Sequence, residues 1–258
     1  MRAKILWKLT AVCASLLTAA SAHSENAVPQ PVVVELFTSQ GCSSCPPADA
    51  FLKSLKDSDD DLVLLSLHVD YWNRLGWKDE FSAKKYTDRQ RYYALKADRA
   101  TIYTPQMVIQ GQEHAVGSDS TKVGKLIESA RQELDAEAAE ELAAVNRLQD
   151  RPGLRITVLR GNHADMIVSF LKYQDVTQPV DIGAGENRGR TIEYTNVVTG
   201  LEMSPLPRRS SIFDPELCLA GSQSGFSEKG VILIQDNRSG KILYSIADHD
   251  ASLFARCG

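Results

Sequence analysis

The stretch that most constrains this chain is Val32 to Leu52, VVVELFTSQGCSSCPPADAFL. It opens on an apolar, strand-forming run, Val32 to Phe37, followed by a polar turn, Thr38 to Gly41. Cys42 and Cys45 come next, two residues apart, and then a segment with helical periodicity: Ala48, Phe51, Leu52 and Leu55 fall on one face at spacings of three and four. A helix start carries backbone N–H groups without intrahelical partners, and its dipole favours negative charge. A cysteine there ionises more easily, and the thiolate is the nucleophilic form. The second cysteine lies one turn on, within reach of a disulfide.

Strand, tight turn, CxxC, helix is the layout of a thioredoxin-like redox centre. The same pair also reads as half of a zinc site or as a structural disulfide. A four-thiolate zinc site needs a second close pair. The other cysteines, Cys13, Cys218 and Cys257, are widely spaced.

The N-terminus reads as an export signal. Arg2, Lys4 and Lys8 precede an apolar stretch from Leu9 to Ala20, and Ala20-Ser21-Ala22 is a small-residue cleavage site. The stretch is too short for a lasting membrane span. Cleavage after Ala22 removes residues 1–22, including Cys13, and takes the formal charge from −4 to −7 by loss of three basic residues. The mature chain is then expected in the periplasm or outside the cell, where disulfides persist. It is mildly acidic with no basic stripe, which argues against nucleic acid or anionic membrane surfaces as partners. Four cysteines remain. Cys218 and Cys257 make the natural second pair, tying down the C-terminus and contributing roughly 2–4 kcal/mol; other pairings stay open.

Leu62 to Val69 (LVLLSLHV) reads as a second buried strand, apolar on both faces as parallel central strands are. If it runs parallel to the first, His68 and Asp70 reach the sheet edge where the cysteines lie. Trp72 and Trp77 form an aromatic loop that either caps the core or shapes a substrate groove. Ser82 to Arg99 reads as a helix with Tyr86, Tyr93 and Leu95 inward and its charges solvated. Pro105 opens a strand that turns at Gln110-Gly111-Gln112 into another around His114 to Gly117. Under the thioredoxin reading, Thr104–Pro105 is a cis bond and Pro105 sits against the CxxC pair. From Ser118 or Asp119, an amphipathic helix is predicted to run to about Gln149, with a break near Asp135 to Glu141 as an alternative.

These elements fill an α/β thioredoxin-like domain over residues 31–150. Residues 152–258 read as a small antiparallel β-domain of sandwich type. Its strands are Leu154–Leu159, Asp165–Tyr173, Thr191–Val198, Val231–Gln235 and Lys241–Ala247, with 200–218 irregular. The loop Gly185-Glu186-Asn187-Arg188-Gly189-Arg190 has the composition of an exposed hairpin turn. A sharper reading has Glu186, Asn187, Arg188 and Arg190 reach over the redox site to engage a substrate carboxylate or peptide.

Several segments together resemble the bacterial secreted proteins of domain-of-unknown-function family 1223. They are ELFTSQGCSSCPPAD (Glu35 to Asp49), HVDYW (His68 to Trp72), LGWKD (Leu75 to Asp79), YTPQMV (Tyr103 to Val108) and GENRGR (Gly185 to Arg190). The resemblance spans most of residues 31 to 250 and implies a thioredoxin-like domain followed by a β-domain, with no established function. At superfamily level Cys42 and Cys45 match the redox pair, and Thr104-Pro105 the cis-proline position. Gly41 departs from the tryptophan of thioredoxin and Ser43-Ser44 from its glycine-proline. Pro46-Pro47 is expected to kink the helix in its first turns.

The chemistry these residues predict is thiol–disulfide exchange with protein or small-molecule thiols, without a cofactor. Cys42, expected to be the more exposed sulfur, attacks, and Cys45 resolves. Glu35, buried in an apolar strand, would have a raised pKa and carry the proton for Cys45. Two other classes of function stay open. One is a Cu(I) carrier with Cys42, Cys45 and His68 as ligands; the other is a binding protein in which Cys42–Cys45 is only a staple.

Overall fold

The computed structural model describes residues 30–137, 142–148, 153–174, 179–213 and 229–248. The segment expected to be a signal, with its expected cleavage site at Ala22, and Cys218 and Cys257 lie outside these residues. The backbone order is β1 (Val32–Thr38), α1 (Pro46–Ser58), β2 (Leu62–His68), α2 (Lys84–Lys96), β3 (Gln106–Ile109), β4 (Glu113–Val116) and α3 (Ser120–Glu137). There follow β5 (Ala143–Arg147), β6 (Leu154–Val158), β7 (Met166–Gln174), β8 (Val180–Asp181), β9 (Thr191–Ile192), β10 (Val197–Pro205), β11 (Ser210–Phe213), β12 (Lys229–Asp236) and β13 (Ile242–Asp248).

β1 is buried at every position because it is central. It pairs with β2 in parallel and with β3 antiparallel, so both its faces are covered. The pleat sends alternate residues to opposite faces. Val32, Val34 and Leu36 pack with Ala48 and Leu52 of α1 and with Val123 and Ile127 of α3. Val33 and Phe37 pack with Tyr86 and Tyr93 of α2. Leu95, expected to face inward, is 76% exposed; Arg89, expected among the solvated charges, is buried instead on the face of Tyr86 and Tyr93.

Pro46 and Pro47 are the first two residues of α1. The kink predicted from them does not arise. At these positions a helix has no acceptor for an N–H, so the missing donors cost nothing and the fixed φ suits the first turn.

The long helix expected to reach Gln149 ends earlier, and Ala143–Arg147 is strand β5, paired with β6. Leu142, Val145 and Leu148 have helical spacing. Yet Ala143 and Val145, two apart, also satisfy a strand, and they contribute to the same apolar cluster as Leu154 and Ile156.

The four longest C-terminal strands, β7, β10, β12 and β13, do not form a sheet of their own. One eight-stranded sheet runs β13-β12-β7-β10-β2-β1-β3-β4. Its seam is narrow: β10 meets β2 in parallel at Val197 and Ser66, reinforced by Ser66 N–H to Asn196 O (2.9 Å) and Asn196 Nδ2 to Leu64 O (2.9 Å). A three-stranded sheet, β11-β6-β5, packs Ala143, Leu154, Ile156 and Val158 onto Val168, Phe170, Ile232 and Ile234 of the large sheet. The sandwich-like packing is present, but its larger layer is the continuation of the sheet that carries the CxxC segment. Within 200–218, expected to be irregular, Val197–Pro205 and Ser210–Phe213 are strands. Pro205 ends its strand, where a missing donor is tolerated.

The large sheet curls until its two ends meet. Gln110, in the turn after β3, accepts from Val33 N–H (3.0 Å) through Oε1 and donates through Nε2 to Ile242 O (2.8 Å) of β13. A Cβ at Gly111, whose φ is +74°, would fall 2.2 Å from Gly240 O, so only glycine fits there. No helix among the described residues is long and apolar enough to cross a membrane.

Candidate functional site

The chain leaves β1 at Thr38, turns through Ser39 to Gly41 and reaches Cys42. Cys42 N–H donates to Ser39 O (3.1 Å), Cys45 N–H donates to Cys42 O (3.1 Å), and Cys45 caps α1. The two sulfurs are bonded to each other. Both cysteines are 0% exposed, which corrects the expectation that Cys42 lies open. Ser43 and Ser44 between them are exposed.

The cover over Cys42 comes from far along the chain. Asn187, itself buried, donates through Nδ2 to Gln40 O (2.9 Å) and Cys42 O (2.8 Å). Glu186 Oε2 accepts from Ser43 N–H (3.1 Å) and Ser43 Oγ–H (2.6 Å). These bonds hold the exposed Glu186 carboxyl below its ordinary value. The loop Gly185–Arg190 therefore does lie over the CxxC turn, and its polar contacts go to that turn. Arg188 and Arg190 are exposed. Trp77 supports the loop from beneath. A Cβ at Gly183 would come 2.9 Å from its ring, and its Nε1–H donates to Gln40 Oε1 (2.8 Å).

Thr104–Pro105 is cis. Gln106 pairs with Phe37, so Pro105 stands level with Thr38 at the end of β1 from which the cysteine turn departs. Thr104 Oγ1 accepts from Trp72 Nε1–H (2.8 Å), and Trp72 lies against Gly41.

The buried acid one helical turn from Cys45 is Asp49, whereas sequence reasoning placed the acid at Glu35. Glu35 projects to the opposite face of β1, the face covered by α2. There Arg89 holds it by Nε to Oε1 (2.6 Å) and Nη2 to Oε2 (3.0 Å), and Tyr93 Oη–H donates to it as well. Arg89 Nη1 continues to Ser169 Oγ (3.2 Å) and Gln235 Oε1 (3.2 Å). A carboxylate paired with a guanidinium on the far side of the sheet has no path to Cys45.

Asp49 lies four residues after Cys45 on the same inward stripe of α1, and its N–H donates to Cys45 O (3.1 Å). It is buried, and neither carboxylate oxygen has a well-formed hydrogen bond. Burial pushes its pKa up to about 7; the His68 charge and the nearby Thr38 hydroxyl pull the other way without overcoming it. The signal was present in the sequence: Cys45, Asp49 and Leu52, spaced four and three, share one helix face.

His68 completes the cluster. Its Nδ1 is 2.7 Å from Asp79 Oδ2, and both side chains are fully buried. Burial pulls the imidazole down, but the charge and hydrogen bond of Asp79, with smaller help from Asp49 and Glu80, hold it above its ordinary value. Burial raises Asp79, and the charge and hydrogen bond of His68, with Gln40 N–H (2.9 Å) and Phe81 N–H (2.9 Å), more than reverse that. Tyr194 and Phe81 meet the His68 ring edge-on. His68 Nε2 and Tyr194 Oη are buried without a partner. Burial, with Asp49 and Asp79 adding to it, holds the Tyr194 phenol well above its ordinary value.

Asp70 is not part of this group. It accepts from Thr87 Oγ1–H (2.6 Å) and fastens the end of β2 to α2. Asp79 and Tyr194 were missed because they come from a loop and from the far half of the chain, with no local pattern to mark them. Among the described residues no set of three or more His, Cys, Asp or Glu side chains converges as a metal would require.

Comparison with known proteins adds family without activity. No curated protein matches the chain. A crystal structure of a protein from Agrobacterium tumefaciens, solved as a structural-genomics target, is similar. It is 28% identical, the likeness covers 86% of this chain and 95% of that one, and the TM-score is 0.55. A family profile described as "Protein of unknown function (DUF1223)" matches residues 33–235. The chain belongs to the DUF1223 family.

Proposed function

We propose that this protein is an exported thiol–disulfide oxidoreductase of thioredoxin-like architecture, working through Cys42 and Cys45. The observation that carries this reading is Asp49. A staple has no use for an unpaired, buried carboxyl one helical turn from Cys45, and an isolated buried acid costs stability. An exchange centre does use one. A substrate thiolate attacks the Cys42 sulfur; a new S–S bond forms and the Cys42–Cys45 bond breaks. The electron pair leaves on Cys45, which takes a proton from the Asp49 carboxyl. A second substrate thiolate then attacks the substrate sulfur of the mixed disulfide and releases Cys42. Two substrate thiols become one disulfide, and the protein holds two thiols. Disulfide reduction is the same path reversed, with Asp49 accepting the Cys45 proton. His68, whose charged form Asp79 favours, tunes how tightly Asp49 holds that proton.

A second reading, the structural staple, draws support from the burial of both sulfurs. Two serine variants separate the readings. Cys42→Ser should abolish exchange and trap nothing. Cys45→Ser should accumulate mixed disulfides through Cys42, seen as reductant-sensitive bands in periplasmic extract. A staple predicts equal, modest destabilisation in both and no trapped partner. The reduction potential reads the same difference: exchange catalysts lie between roughly −270 and −120 mV, structural bridges below about −300 mV.

A further inference from the structure

Ser43 stands between the two cysteines and is exposed, yet its N–H and hydroxyl are both engaged by a single carboxylate oxygen, that of Glu186. This donor pair therefore accepts a carboxylate, and the one it holds is itself exposed and sits in a loop. Beside it, starting at Pro46, a groove of about 420 Å³ opens between the first turns of α1 and β9. Pro46, Ala50 and Ile192 give it an apolar lining, and Lys53, Arg190 and Glu193 its charge. Lys53 shares its charge with Asp57 (3.2 Å). Arg190 uses its backbone in the loop turn, with N–H to Asn187 O (3.0 Å), and its guanidinium is exposed at the groove.

We infer that Ser43 and Arg190 form a carboxylate-recognition subsite beside Cys42 for a low-molecular-weight thiol or disulfide bearing carboxylates, and that Glu186 fills it when no substrate is bound. This rests on the exchange reading above and names its substrate class. The geometry couples recognition to access. Glu186 and Asn187 are neighbours, and Asn187 holds the backbone of Gln40 and Cys42. A substrate carboxylate that takes Ser43 from Glu186 releases one of the two ties that keep the loop over Cys42. The apolar lining suits a short methylene stem between sulfur and carboxylate, and the planar guanidinium suits a carboxylate in two-point contact.

The test separates binding from redox chemistry. Methylthiopropionate carries the carboxylate and stem but neither thiol nor disulfide. Titrated into the full mature protein, it should shift the Ser43 amide resonance in nitrogen-edited NMR. Glu186→Ala, which removes the internal competitor, should tighten that binding about fivefold or more, since apparent affinity scales with the fraction of open sites. Arg190→Gln should weaken it by a similar factor, and the neutral amide of the same compound should not bind. Absence of a Ser43 shift in Glu186→Ala, or equal binding of the neutral amide, overturns the inference. Exchange rates then compare dithiodipropionate with neutral hydroxyethyl disulfide. The dianion should react faster, and Arg190→Gln should erase its advantage; equal, non-zero rates for the two disulfides in the parent protein overturn the subsite. If neither disulfide reacts while the carboxylate binds, exchange is refuted and the carboxylate site stands.

Discussion

Two buried ionic clusters lie on opposite faces of the same strand pair, and they are built differently. On the α2 face Glu35 is met by Arg89 through two hydrogen bonds and by Tyr93, and Arg89 spends its remaining donor on Ser169 and Gln235. On the α1 face Asp49 has no well-formed hydrogen bond, and His68 Nε2 and Tyr194 Oη have no partner. Burial is equal, since Glu35, Arg89 and His68 are at most 1% exposed and Asp49 is 3%. The Arg89 cluster spans the halves of the sheet, joining β1 to β7 and β12, and its geometry is that of structure. The Asp49 cluster lies on the α1 side, one helical turn from Cys45, and leaves several of its polar atoms unpartnered. Buried polar groups left unsatisfied need a reason other than stability.

The largest effect should come from breaking the satisfied cluster. Arg89→Met strands Glu35 in the core and should cost about 3–5 kcal/mol by urea unfolding at constant slope. Adding Glu35→Gln should recover much of that loss, because the stranded charge is gone. A single-variant cost under about 1 kcal/mol would mean that the cluster does not join the sheet halves.

Asp49→Asn should behave in the opposite sense. The folded state raises the Asp49 pKa from 3.8 to about 7. The unfolded chain therefore releases this proton near pH 4 and the folded protein only near pH 7, so stability falls as pH rises between them and is level above. Asparagine removes that slope. The gain should be near zero at pH 4 and reach at most about 4 kcal/mol at pH 8, at roughly 1.4 kcal/mol per unit. Exchange should slow about 100-fold through loss of the proton carrier. A variant that is stabilised and equally active would reduce Asp49 to an accident of packing.

The contrast between clusters shows what was legible in the sequence. Both acids were in plain view, and the motif around Cys42 fixed the local order of strand, turn and helix. The error lay in parity. Val33, Glu35 and Phe37 share one face of β1, and which face α1 covers is decided by tertiary packing. Asp49 was marked by its spacing from Cys45, but helix periodicity alone does not say which stripe meets the disulfide. The hairpin after Pro105 was legible locally, whereas the cis form of Thr104–Pro105 was reached only through the thioredoxin reading. The joined sheet was not, because its seam is one residue pair, Val197 with Ser66. The segment from Leu142 to Leu148 was misread for another reason: its apolar spacing satisfies both periods.

A smaller effect sharpens the comparison within the α1 face. The folded state raises His68 above 6.5. Its bond to Asp79 therefore stabilises fully below pH 6.5, and that contribution fades as pH climbs through the raised value. His68→Gln should cost about 1.5–3 kcal/mol at pH 5.5, the range of a charged hydrogen bond, and less in alkaline solution. A cost independent of pH would show that His68 packs as a neutral ring.

Asn187 lies 145 residues downstream of the cysteine whose carbonyl it holds. At 5–20 residues per second, synthesis needs roughly 7–30 s to carry the chain from one to the other. Through that interval Cys42 and Cys45 exist without the loop that encloses them. The folded protein turns both sulfurs inward, so the pair is most open before the second half of the chain folds onto it.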